Sequence, residues 1–282
     1  ISVASTNHGI EIGSDGITLD GAGYTISGGV RDESCPMSST YNCGSLYPWL
    51  GNAGVFLENK SNVVIKNLTI NGFYHGILSI GSPNPGPVIT GNTISSPGSY
   101  PHGAAIDVVG GSSAKITNNL ITNSYMGIGT HSGRGNNQCT GNSAYVIQQN
   151  TINILPEQNK IGIYISWNDF NNRNQGICID QNTITGGEVG VKHYQSKGGI
   201  ITDNTVTGAI NGFVVTSNNH LLTMTGNTAN SNTGKGFWFD DCQGVLPQYM
   251  PCVSIVTFAE NTATGNGVDF VGISPSGSSV PE

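Results

Sequence analysis

The sequence predicts an all-β fold: a single-domain right-handed parallel β-helix, a solenoid of roughly nine coils. Three observations carry that prediction. A short segment ending in Asn-Thr-Ile or a close variant recurs along the chain. Between its copies a Gly opens a run of alternating apolar residues, the period of a strand with one buried face. Composition agrees, because 41 of the 282 residues are Gly and only 10% are charged, against roughly a quarter in ordinary domains. Short strands and frequent turns suit such a chain better than helices, which want the Ala, Leu, Glu and Lys that are scarce here.

The recurring segment reads Lys66-Asn67-Leu68-Thr69-Ile70, Gly91-Asn92-Thr93-Ile94, Gln149-Asn150-Thr151-Ile152, Gln181-Asn182-Thr183-Ile184, Asp203-Asn204-Thr205-Val206, Gly226-Asn227-Thr228-Ala229 and Glu260-Asn261-Thr262-Ala263, with Asn118-Asn119-Leu120-Ile121 as a looser copy. Its interval is 22 residues from Asn182 to Asn204 and 34 from Asn227 to Asn261. The short intervals read as bare coils and the long ones as coils carrying loops. Asn or Gly between strands tolerates the left-handed backbone of a sharp turn. Asn repeated at one point of each coil can also stack, amide on amide, along the axis. The second element appears as Gly9-Ile10-Glu11-Ile12, Gly54-Val55-Phe56-Leu57, Gly162-Ile163-Tyr164-Ile165, Gly212-Phe213-Val214-Val215 and Gly236-Phe237-Trp238-Phe239. Each coil therefore offers two or three strands, each pairing with its equivalent about 4.8 Å away. A propeller would need about 40 residues per blade, and a sandwich would not repeat one tetrapeptide at one place. Residues 1–274 read as the solenoid and 275–282 as a flexible tail.

The formal net charge of −7 opposes nucleic acid and acidic membrane surfaces as partners. No apolar run reaches the ~20 residues that span a bilayer. Of six cysteines, Cys35 with Cys43 and Cys242 with Cys252 are close pairs in turn-rich insertions, which leaves Cys139 with Cys178. Proximity is the reason for this choice among the possible pairings. Three disulfides imply an exported, extracellular protein. The rival reading, metal ligation, lacks a C-x-x-C or a clustered Cys/His spacing.

This pattern resembles the parallel β-helix repeat of the pectate-lyase-like superfamily over about residues 9 to 274. The stretch Gly9-Ile10-Glu11-Ile12-Gly13-Ser14-Asp15-Gly16-Ile17-Thr18-Leu19-Asp20-Gly21 is also similar to the opening of NosD-type β-helix proteins. The resemblance implies the fold, while the repeat itself marks buried and turn positions rather than chemistry. The copper traffic that the NosD likeness implies lacks its Met/His/Cys cluster here.

Alternation sorts the strand that opens with Gly into inward and outward residues. Counted from that Gly, the fourth, outward position reads Asp107, His131, Ser166, Tyr194, Thr216, Asp240, and the second reads Ala105, Gly129, Tyr164, Lys192, Val214, Trp238. Long insertions follow the strand at 132–148, 167–176 and 241–253 and would wall a groove over it. Tyr164 and Lys192 should lie one coil apart, Lys192 and Tyr194 about 7 Å apart on one strand, with His131 in the preceding coil. Arg134, Arg173 and Lys197 fall in adjoining loops, so with Lys160 and Lys192 half of the ten Lys and Arg lie between 134 and 197. A basic strip on an acidic protein points to an anionic ligand. His193 should face inward, and His8, His75 and His220 read as turn residues.

This set suits a polysaccharide lyase or C5 epimerase acting on a uronate-containing polymer. Both reactions begin with removal of the C5 proton, by Lys192 or His131, with Tyr194 or Tyr164 as acid. The enolate-like intermediate needs a cation beside its carboxylate, Arg134 or Arg173. Lys197, Ser166, Asp107, Trp238 and Asp240 complete the expected substrate contacts, with Trp167, Phe170 and Tyr164 available to stack on sugar rings. No cofactor is required by this chemistry; calcium, held by Asp240-Asp241, is the one metal the sequence allows. A monomer is the expected state. The competing enzyme is a glycoside hydrolase using Asp240 or Asp169, which would need two carboxyls within about 5 to 9.5 Å. Of the polygalacturonase pattern only Asp240-Asp241 is present, and the Asp-Pro-His of bacterial alginate epimerases is absent. A carbohydrate-binding or structural solenoid without catalysis is the alternative from a different class.

Overall fold

The computed structural model describes residues 2–3, 8–29, 52–81, 83–95, 103–111, 113–131, 145–155, 157–166, 177–194, 197–216, 220–239 and 254–272. Among them every strand pairs in parallel with its counterpart one coil away, in three sheets of ten, ten and nine strands. The chain is thus a single parallel β-helix, and it has no helix among the described residues. One turn of the solenoid passes through a front strand such as Ile161–Ser166, a side strand such as Ile177–Asp180 and a back strand such as Thr183–Thr185.

The back sheet carries the recurring segment. Ile70, Ile94, Ile121, Ile152, Ile184, Val206, Ala229 and Ala263 stand in one ladder pointing into the core. This ladder shrinks to Ala where the front sheet supplies Phe213, Phe237 and Phe270, whose rings stack at 4.8 and 5.5 Å. Rings on one wall fill the volume that methyl groups give up on another, as close packing requires.

The Asn repeat forms a buried ladder. Asn150 Nδ2 donates to Asn182 Oδ1 at 2.9 Å and Asn182 Nδ2 to Asn204 Oδ1 at 2.9 Å, and the same link runs from Asn92 to Asn261. Each amide also binds backbone, so every polar atom that the corner buries is satisfied. The left-handed residue is the one before the ladder: Asn67, Gly91, Asn118, Gln149, Gln181, Asp203, Gly226 and Glu260 all have positive φ. The turn's strain therefore falls on a solvent-facing neighbour, while the ladder Asn keeps its side chain inward.

The Gly that opens each front strand answers to packing rather than to turn geometry. A Cβ at Gly162 would stand 2.4 Å from the Gly190 carbonyl oxygen and 2.6 Å from Ile184 Cγ2 of the back sheet. In one coil this slot holds Ala105, not Gly103, because Ile106 pairs with Ile77 and Ile128. The alignment read from sequence is corrected accordingly: Asp107 stands in the column of Gly129, and Val109 in that of His131. The shift is two residues, so Asp107 still faces outward, whereas Ala105 belongs to the core.

Other corrections concern element boundaries. Residues 145–148 are not loop but the side strand Tyr145–Gln148, with Tyr145 wholly buried. His75 and His220 open the strands His75–Ile80 and His220–Thr225 instead of lying in turns. Lys197 opens the side strand Lys197–Thr202 rather than lying in a loop, and its side chain falls outside the described residues. His193 faces the interior. Cys178, also buried, is disulfide-bonded; Cys35, Cys43, Cys139, Cys242 and Cys252 lie outside the described residues, as does the pairing among them.

Candidate functional site

The outward face of the front sheet carries two columns, set by register. One runs Glu11, Phe56, Leu78, Asp107, Gly129, Tyr164, Lys192, Val214, Trp238. The other runs Glu58, Ile80, Val109, His131, Ser166, with Tyr194 and Thr216 paired further along. Beyond Glu11 and Glu58 the early part of the face is apolar, where Ala53 and Leu78 pack with Phe56, Ile80 and Val109. A cluster of polar and ionisable groups begins at Asp107.

Four side chains anticipated as catalytic share this face. The His131 and Tyr164 rings meet edge to face, centroids 5.7 Å apart. Lys192 Nζ lies 5.7 Å from the Tyr164 ring centre and 6.0 Å from that of Tyr194. Tyr164, Lys192, Tyr194 and His131 are each partly exposed, so all four reach solvent from three successive coils. Burial raises the Tyr164 phenol above its usual value, opposed by a hydrogen bond from Ser166 and reinforced by nearby Tyr194. The phenol therefore holds its proton at neutral pH, as an acid must.

Asp107 and Ser166, anticipated as substrate contacts, stand behind this surface, 3% and 2% exposed. Ser166 Oγ lies 2.6 Å from His131 Nδ1, and Asp107 Oδ1 lies 3.5 Å from His131 Nε2. Gly129 makes that approach possible, since a Cβ there would stand 3.0 Å from Asp107 Oδ1 and 3.3 Å from His131 Nε2. On its other side Asp107 Oδ2 is 3.7 Å from His75 Nδ1. That nitrogen accepts the Ala104 N–H at 3.4 Å, so it offers Asp107 no proton. Burial pushes the Asp107 carboxyl up to about 6, against the pull of His131 and a bond from the Val108 backbone N–H. The same carboxyl adds to the effect of burial in raising the Tyr145 phenol.

Trp238 keeps its outward place two coils beyond Lys192, with Lys235 Nζ 3.4 Å from the centre of its ring, so one ring face is covered. Lys160, part of the basic strip, is paired with Glu157 at 2.8 Å. Arg134, Arg173, Asp240, Asp241, Trp167, Asp169 and Phe170 lie outside the described residues, and with them the calcium pair and the expected carboxylate clamp. Among the described residues no group of three His, Cys, Asp or Glu side chains is placed to hold a metal. The Asp107–His131 contact, the part of His75 and the gap at Gly129 went unread in the sequence. Aligning Ile106 with Ile128 and Ile163, instead of glycine with glycine, would have revealed them.

No curated protein matches this chain. A family model described as a right-handed β-helix region matches residues 15–180 and again 138–280, which together include strands of all three sheets. The chain therefore belongs to the right-handed β-helix family.

Proposed function

We propose that the protein is a polysaccharide-active enzyme that removes the C5 proton of a uronate residue, acting as a lyase or as a C5 epimerase. The observation that carries this reading is the meeting of Tyr164, Lys192 and Tyr194 on one exposed strand face, with Lys192 Nζ about equally distant from the two phenol rings. Both His131 ring nitrogens are engaged by Ser166 and Asp107, so the role of base falls to Lys192. In its amine form Lys192 takes the C5 proton. Tyr164 or Tyr194 delivers a proton to the 4-linked oxygen as the C4–O bond breaks and the C4–C5 double bond forms. Epimerisation starts alike and ends with return of a proton to C5 from the opposite face. On this reading the enzyme works outside the cell as a monomer, without a cofactor, on a polyanionic chain drawn by the local cations.

Incubation with uronate polymers tests it. Ultraviolet absorbance of an unsaturated product is expected from a lyase, and deuterium incorporation at C5 in heavy water from an epimerase. Lys192→Ala and the double variant Tyr164→Phe with Tyr194→Phe should each abolish turnover with the melting temperature unchanged. New reducing ends without unsaturation would replace the proposal with hydrolysis, and retained binding without any product would replace it with a non-catalytic solenoid.

A further inference from the structure

We infer that Asp107, His131 and Ser166 form a buried proton-supplying chain that ends on the phenol of Tyr164. The inference rests on the proposed role of Tyr164 as acid and adds the groups that recharge it. Four side chains on three consecutive coils lie in sequence: Asp107 Oδ1 to His131 Nε2 at 3.5 Å, His131 Nδ1 to Ser166 Oγ at 2.6 Å, and a hydrogen bond from Ser166 to Tyr164.

One pattern of protons suits the sequence of contacts. In the imidazolium form, His131 faces the Asp107 carboxylate with Nε2–H as an ion pair at 3.5 Å and donates Nδ1–H to Ser166 Oγ. Ser166 then gives its own O–H to the Tyr164 oxygen, and the Tyr164 O–H is left pointing outward to a leaving group. When Tyr164 releases that proton, the Ser166 proton moves to Tyr164 and the His131 Nδ1 proton moves to Ser166. His131 ends neutral, with Nε2–H still facing Asp107. Two O–H bonds and one N–H bond are broken, counting the one to the leaving group, and three O–H bonds are formed. No external reactant enters until a solvent proton reaches the Tyr164 oxygen and the two transfers run in reverse, from Tyr164 to Ser166 and from Ser166 to His131 Nδ1.

The surroundings fit this direction of flow. Asp107 Oδ1 has no hydrogen-bond partner among the described residues, and the His131 ring 3.5 Å away stands as its charge partner. His75 Nδ1 is occupied by the Ala104 N–H. Buried Tyr145 holds its proton more tightly, through burial first and the Asp107 charge second. Lys192, beside the Tyr164 and Tyr194 rings, steadies the phenolate that forms briefly on either. Asp107 and Ser166, being buried, act through their neighbours and are positioning residues.

Carbon-13 NMR titration of the Asp107 carboxyl tests the chain without needing any substrate. His131→Gln should raise the pH at which Asp107 ionises, because the ring beside it holds that value down. Ser166→Ala should raise the pH at which Tyr164 ionises, followed by ultraviolet difference absorbance against Tyr164→Phe, whereas Ser166→Thr, which keeps the hydroxyl, should not. An unchanged Asp107 ionisation or an unchanged Tyr164 ionisation overturns the chain. If His131→Gln does not fold, the two Ser166 variants decide alone. Both shifts without product from uronate polymers would leave the chain standing and remove the proposed activity; product without the shifts would do the reverse.

Discussion

At the scale of single residues, Asp107 is the costliest group in the candidate site. Its carboxyl, 3% exposed, is shifted by burial up to about 6, while an unfolded chain would return it to roughly 3.9. The folded state thus binds the proton more tightly, and this stabilisation is complete below about pH 4 and lost as pH rises through about 6. The shift corresponds to roughly 3 kcal/mol. Asp107→Asn, neutral throughout, should therefore gain stability over the parent between about pH 4 and pH 8, measured by urea unfolding at both. An equal difference at the two pH values would show that burial does not strain this carboxylate. Alternation gave the outward direction of Tyr164, Lys192, Tyr194 and His131 correctly from sequence, because direction follows from the two-residue period. Depth does not: nothing in the run Ala104-Ala105-Ile106-Asp107 says that its carboxyl will be covered.

At the scale of elements, what can be read depends on how strongly a strand's period is written. The back strands repeat almost letter for letter, since their Asn and Ile both have fixed partners in the next coil. The side strand Tyr145–Gln148 follows the insertion at 132–144 directly, and its apolar run Tyr145-Val146-Ile147 shows no clean alternation, so it merges with the loop. The front glycines are legible as a mark but not as a cause. Their cause is lateral: back-sheet side chains press on the slot. Gly162→Ala should cost about 1–3 kcal/mol by overpacking, whereas Gly13→Ala, with open space around its Cβ position, should be neutral or slightly stabilising. Thermal melts of the two variants check the contrast, and equal melting temperatures would refute the packing account.

At the scale of the whole molecule, each coil leans only on its neighbours. The coils around Met126–His131 and Ile161–Ser166 have partners on both sides, while Val268–Val271 ends the front sheet. Native-state hydrogen exchange should accordingly be slowest in the middle coils and quicken toward the strands at 262–271. Uniform protection along the axis would mean that the solenoid opens as one unit.

The Asn ladder has a consequence that reaches across all these coils. From Asn92 to Asn261 every amide hands its N–H to the carbonyl of the next one, always in the same sense along the chain. Head-to-tail amides polarise one another, and their small dipoles add as peptide dipoles do in a helix. The rod is therefore electrically one-directional, its carbonyl-negative pole at the amino-terminal end and its amide-positive pole at the carboxyl-terminal end, whatever charges its surface carries.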